Sequence, residues 1–150
     1  MARLRAAVIG ASGMGKHHAK WLAALGCDLA GFAGTSAESV ANTARTLHEL
    51  FGFSGTGYVG VEALLAAGPW DVISICSPHE LHHEHFMMAV QTGAHIMCEK
   101  PLVFDGALPA EVLLARGEEM VRAAAQAGII AAINTQYVAA VDPYRRLLAD

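Results

Sequence analysis

Apolar residues in this chain fall into short unbroken blocks, separated by glycine-bearing breaks and by stretches where apolar and polar positions recur at helical spacing. Residues 3–9 form the first block, apolar at every position from Ala6 to Ile9, as a strand buried on both faces requires. A helix follows over 14–25, with Trp21, Leu22 and Leu25 on one face and Gly26 as its stop signal. A second strand is predicted over 29–33, then a helix over 37–51 capped by Thr35 or Ser36. Residues 52–60 read as a loop with a short strand near Tyr58, and 61–67 as a brief helix ended by Gly68-Pro69. The block 70–76 is a buried strand. Ser77-Pro78 then opens a helix running to about Thr92, because proline suits a first turn. Gly93 closes that helix. A strand over 94–98, an alanine-rich helix over 110–127 ended by Gly128, and a strand over 129–135 complete the pattern. An amphipathic segment begins at Asp142 and the chain stops at Asp150, so a further domain is expected beyond it. Residues 1–141 are read as one domain and 142–150 as the start of a link.

Strands alternating with helices at this rhythm predict an α/β fold, a doubly wound parallel sheet of Rossmann type in a three-layer sandwich. Ligands on such sheets sit beyond the carboxyl ends of the strands, and three unusual segments fall there: Gly10–Gly15, Cys76–Pro78 and Glu99–Pro101. In the first, strand, glycine-rich turn and helix follow directly, the order a dinucleotide pyrophosphate needs. Read as G-x-G-x-x-G, the template falls on Gly10, Ser12 and Gly15, with a serine at the middle glycine and Gly13 beside it.

Composition narrows the partners. The chain has 150 residues, 54% hydrophobic and 16% charged, with a net charge of −4 and no basic run. That argues for a globular domain and against nucleic acid or an anionic membrane surface as the main partner. No apolar run approaches the roughly 20 residues of a membrane span, and no secretory leader is expected. Cys27, Cys76 and Cys98 are odd in number and widely spaced, as expected of reduced thiols in a cytoplasmic protein.

The run Ser74-Ile75-Cys76-Ser77-Pro78, then His82, then Gly93-Ala94-His95-Ile96-Met97-Cys98-Glu99-Lys100-Pro101-Leu102, resembles the nucleotide-binding domain of the Gfo/Idh/MocA oxidoreductases. The likeness runs from Arg3 to about Tyr144. It implies an NAD(P)-dependent oxidoreductase transferring hydride between nicotinamide and a sugar, polyol or related hydroxy compound. By position it implies that Ala11 to Met14 touch the pyrophosphate, and that Ser77, Pro78 and His82 lie along the cofactor towards its nicotinamide half. It also implies that Lys100 faces the substrate with Glu99 fixing the turn, and it places a histidine at His18 near the cofactor loop. The cofactor-binding set is then Gly10, Ala11, Ser12, Gly13, Met14, Gly15, Gly34, Thr35, Ser36, Cys76, Ser77, Pro78, His82, Glu99, Lys100 and Asn134, with Lys100 the catalytic residue. Chemistry supports the lysine independently, since oxidising a secondary alcohol requires a group to take or polarise the hydroxyl proton. The family's second domain, carrying a catalytic Asp and His, would follow residue 150 and could build a homo-oligomer.

Three features depart from that pattern. The end of the second strand, Phe32-Ala33-Gly34-Thr35-Ser36, lacks the carboxylate that usually holds an NAD ribose, so either NADP or NAD is expected and the corner favours NADP. The last strand matches the family at Asn134 but lacks the arginines common after it. Extra residues over 104–109 suggest a lid or a variable loop. His79-Glu80-Leu81-His82-His83 matches the zinc-hydrolase pattern H-E-x-x-H through His79, Glu80 and His83, but Pro78 starts the helix at His79 and no third ligand follows, so no metal is expected. A free-standing, non-catalytic dinucleotide-binding protein is the alternative from a different class.

Overall fold

Parallel strands cannot be joined by tight turns, so each connection must cross a face of the sheet, and this dictates the architecture. The computed structural model describes residues 2–135, 141 and 145–146. Its strands are β1 (Arg5–Ile9), β2 (Asp28–Gly34), β3 (Thr56–Val59), β4 (Val72–Ile75), β5 (His95–Glu99) and β6 (Ala131–Asn134). Its helices are α1 (Gly15–Ala24), α2 (Ala37–Phe51), α3 (Val61–Ala66), α4 (His82–Val90) and α5 (Ala110–Ala127). All paired strands are parallel, in the order β3-β2-β1-β4-β5-β6. The order reverses at β1, the switch point of a Rossmann sheet.

Helices cover both faces, as the expected sandwich demands. In β1, Ala6 and Val8 face the core under α1 and α2, together with Leu22, Phe32, Leu47 and Phe53. Ala7 and Ile9 face the opposite core under α3, α4 and α5, together with Leu64, Ile73, Ile75, Phe86 and Met120. That double burial explains the unbroken apolar run. Among the described residues no helix is long and apolar enough to cross a membrane.

Most expected elements appear within a residue or two, with three corrections. The buried face of α1 is Gly15, His18, Ala19 and Leu22, while Trp21 and Leu25 are 62% and 81% exposed. Small residues at 15 and 19 let the helix lie close to the sheet, so phase and not side-chain size chose the face. The helix expected from Pro78 is split into a 3-10 turn over His79–Leu81 and then α4, because Pro78 keeps an extended backbone. The last strand is shorter than expected, Ala131–Asn134. The helix expected over 142–150 and the tail of the likeness lie largely outside the described residues.

These burials are testable. Ile73 is fully buried at the middle of the sheet. Ile73→Val should cost about 1 kcal/mol in urea unfolding, whereas Trp21→Ser should stay within about 0.5 kcal/mol of the parent. A costly Trp21→Ser would mean that α1 is rotated from the face described.

Candidate functional site

The site begins where β1 ends. Gly10 turns with φ +84°, and a Cβ there would lie 2.8 Å from the Cys76 carbonyl oxygen and 2.9 Å from Ser77 Cα. A Cβ on Gly15 would run into the Gly10 carbonyl. The first and third template glycines are thus sterically required. The middle position, Ser12, is exposed, and Gly13 has open space around it, which is why the serine is tolerated there. No side chain caps the start of α1, and its first turn holds no acidic residue, which leaves its amide end suited to an anion.

A cleft of about 380 Å³ opens over this turn. Gly10, Ala11, Ser12, Gly34, Thr35, Cys76, Ser77 and Pro78 line it, all from the carboxyl ends of β1, β2 and β4. Other expected residues do not line it. Gly13 and Met14 are exposed in the loop, and Gly15 is buried beneath it. Ser36 is occupied in capping α2, where its hydroxyl accepts from the Ser39 amide at 3.1 Å and Ser39 Oγ accepts from the Ser36 amide at 3.0 Å. Ser39 and Thr43 on α2, Glu62 on α3, Leu81 of the 3-10 turn, and Glu84, His85 and Met88 of α4 add to the wall. The sequence reading missed these residues. Their spacing was the available signal, because Ser39/Thr43, Leu81/His85 and Glu84/Met88 each stand four apart and share a helix face.

Burial sets the chemistry of the thiols. It pushes Cys76 up to about 12; the Ser74 hydroxyl lowers it and the Glu99 charge raises it. Cys98 is likewise raised to about 12, first by burial and then by Cys76 and Glu99. Both thiols are thereby held in the protonated form at neutral pH. Burial lowers His85 against the pull of Glu84 and Glu62, so a neutral ring places Nδ1 2.8 Å from Ser77 Oγ.

Glu99, Lys100 and Asn134 lie beyond the cleft, at the ends of β5 and β6. Strand register sets Glu99 opposite Asn134. Glu99 Oε1 accepts from the Asn134 amide and from His18 Nε2 at 2.8 Å, and Oε2 accepts from the Lys100 backbone amide at 3.2 Å. His18 Nδ1 meets Ser74 Oγ at 2.8 Å. The Lys100 side chain is exposed, and the Lys100–Pro101 peptide bond is cis. His82 is fully buried, with Nδ1 2.9 Å from the Pro101 carbonyl oxygen and Nε2 3.0 Å from that of Ser77. It joins the two loops from beneath and presents no surface to the cleft.

The H-E-x-x-H histidines disperse. His83 pairs with Glu119 at 2.8 Å, and His79 packs edge-on against His82 and Phe104. Phe104 so ties the 104–109 segment to the 3-10 turn that precedes α4. Among the described residues no three His, Cys, Asp or Glu side chains gather in a metal-holding group.

Residues 4–135 match the model of an oxidoreductase family with an NAD-binding Rossmann fold, Gfo/Idh/MocA. UDP-N-acetylglucosamine 3-dehydrogenase from Acidithiobacillus ferrooxidans is 34% identical over 105 residues, covering 70% of this chain and 31% of its own length. D-glucoside 3-dehydrogenase from Escherichia coli (strain K12) is 41% identical over 64 residues, 43% of this chain and 18% of its own. A solved structure of the Acidithiobacillus ferrooxidans enzyme superposes with a TM-score of 0.74 at 28% identity, over 99% of this chain and 43% of that one. The chain spans less than half the length of each of these relatives.

Acid should loosen the β5 edge. Burial alone would raise the Glu99 carboxyl, but hydrogen bonds from Asn134 and His18, the His18 charge and the Lys100 amide outweigh it and hold the group below its ordinary 4.5. A lowered carboxyl stabilises the fold fully above the ordinary value, and that contribution is lost as pH falls through the lowered one. Urea unfolding of the parent and of Glu99→Gln should therefore show a stability gap at pH 7 that closes on acidification below 4.5. A gap independent of pH would show that the carboxylate charge is not what the site uses.

Proposed function

This chain belongs to the Gfo/Idh/MocA oxidoreductase family, and from that premise we propose that it is the NAD(H)-binding part of a dehydrogenase acting on a secondary hydroxyl of a sugar, polyol or related compound. The observation that carries this reading is the turn at the switch point. There Gly10 and Gly15 are sterically required, and an uncapped helix end faces a cleft walled by the ends of β1, β2 and β4. A dinucleotide fits this donor set, with its pyrophosphate on Ala11 to Met14, its adenosine end towards Gly34 and Thr35, and its nicotinamide end towards Ser77, Pro78 and Lys100.

Bound NAD⁺ supplies the hydride acceptor. Lys100, exposed just beyond β5, is our candidate to take or return the hydroxyl proton, and Glu99 and His82 hold the backbone on either side of it. The carbohydrate class rests on the relatives, two of which are named as 3-dehydrogenases of a sugar nucleotide and a glucoside. Residues 1–141 are on this reading the cofactor domain, with 142–150 leading to a substrate-binding domain. The free thiols at Cys27, Cys76 and Cys98 suit a reducing cytoplasm.

The cleft wall changes the cofactor expectation. The neutral corner at Gly34 and Thr35 by itself favours NADP. Yet the lining as a whole includes the carboxylates of Glu62 and Glu84 and no lysine or arginine. A 2′-phosphate at Gly34 would find no cation in this lining and the Glu62 carboxylate close by at Gly60, whose amide bonds the Gly34 carbonyl, so NAD is the cofactor we assign.

Calorimetric titration should show NADH binding on the order of tenfold more tightly than NADPH, since unit charges a few ångströms apart in water interact by about 1 kcal/mol. Glu62→Gln should narrow that gap. Equal binding of the two cofactors would remove the assignment. In the enzyme carrying its substrate-binding part, Lys100→Ala should cut kcat by about 10² or more with little change in cofactor affinity, the usual size of a lost acid–base group. Normal turnover by that variant would mean that the lysine is not the proton carrier.

A further inference from the structure

A carboxylate at the end of a strand has freely turning side-chain torsions unless something fixes it. Glu99 is buried, and both its oxygens are committed. Oε1 takes two donors, the His18 ring at 2.8 Å and the Asn134 amide, which leaves Oε2 turned to the Lys100 backbone N–H at 3.2 Å. The His18 ring cannot swing without losing Ser74 Oγ, 2.8 Å from its other nitrogen on the fully buried Ser74 of β4. The order of dependence is therefore Ser74, His18, Glu99, Lys100. No buried side-chain nitrogen or oxygen lacks a partner among the described residues.

We infer that His18 is a positioning residue for Lys100, acting through the Glu99 carboxylate. It stands one turn into α1, the helix whose first residues shape the cofactor loop, so the loop and the lysine turn are joined by two side chains. His82 holds the far side of the same turn through the Pro101 carbonyl at 2.9 Å. Lys100 thus lies between two backbone points, each tied to a histidine of a different helix. A buried hydrogen-bonded polar pair adds little to stability compared with apolar packing; what it supplies is a fixed direction. That the direction serves catalysis rests on the assignment of Lys100 made above.

The ¹⁵N-labelled chain tests this by amide hydrogen exchange. Glutamine places its amide nitrogen near the position of the histidine Nε2, whereas asparagine reproduces only Nδ1. His18→Gln should hold the Lys100 exchange rate within about threefold of the parent, while His18→Asn should raise it about tenfold, the loss of one charge-assisted hydrogen bond. Met97 and Cys98 in β5 should stay at parental rates in both, and NADH affinity should change by less than about threefold, since neither variant alters the cleft wall. Equal Lys100 rates in all three proteins would overturn the inference. So would a uniform rise along β5, which marks a packing role only. If His18→Asn does not fold, Ser74→Ala removes the group that orients the ring, and a Lys100 rate unchanged there would overturn the inference as well. None of these readouts uses a substrate. Turnover by Lys100→Ala would defeat the function proposed above and leave the exchange result intact.

Discussion

No side chain fits between β1 and β4 where their carboxyl ends part. Gly10 passes so close to the backbone of Cys76 and Ser77 that even a methyl group would press on it, and its positive φ turns the chain directly into α1. Gly15 then lies against the Gly10 carbonyl and brings the helix start down over the same point. Because the strand order reverses there, the connections leaving β1 and β4 pass to opposite faces of the sheet and leave a cleft between them. A helix end rich in amide donors and the cleft in front of it follow from that one close approach.

Features written in local chemistry were legible in the sequence. Both ends of α2 and the last turn of α5 fall where the sequence placed them, because Ser36 forms a capping box and Gly52 and Gly128 take the left-handed conformation that ends a helix. Gly10, Cys76, Ser77 and Pro78 could be read as site residues because strand ends in a parallel sheet share one edge. Residues whose role depends on how a crossover helix rolls against the sheet were not legible. Ser39, Thr43, Glu62, Glu84 and His85 reach the cleft only because α2, α3 and α4 start at that edge with a particular rotation. Trp21 and Leu25 show the same limit from the other side. Their size suggested a buried face, while the close packing of Gly15 and Ala19 turned them outward.

Asn134 marks a different boundary. Motif position pointed to it, but its partner is set by register, since β5 and β6 pair Glu99 with Asn134 across 35 residues of chain. His18 is further still, 81 residues from Glu99, and its neighbour Ser74 comes from a third strand. A sequence can supply each of these polar residues without indicating that they meet. What brings them together is the same parallel stacking that aligns the strand ends.

That meeting carries an electrostatic cost that the fold places carefully. Glu99 is ionised in a buried setting, and the same negative charge helps keep the Cys76 and Cys98 thiols protonated. At this edge of the sheet both thiols are therefore held in the protonated form. The carboxylate itself is buried, with Oε1 taking His18 and Asn134 and Oε2 the Lys100 amide, so little of it is open to a bound molecule. By elimination, the group at the end of β5 that is both ionisable and open to a bound molecule is the exposed Lys100 amine. The buried polar residues beneath it fix the turn from which the lysine extends, since Glu99 bonds the Lys100 amide and His82 meets the Pro101 carbonyl oxygen.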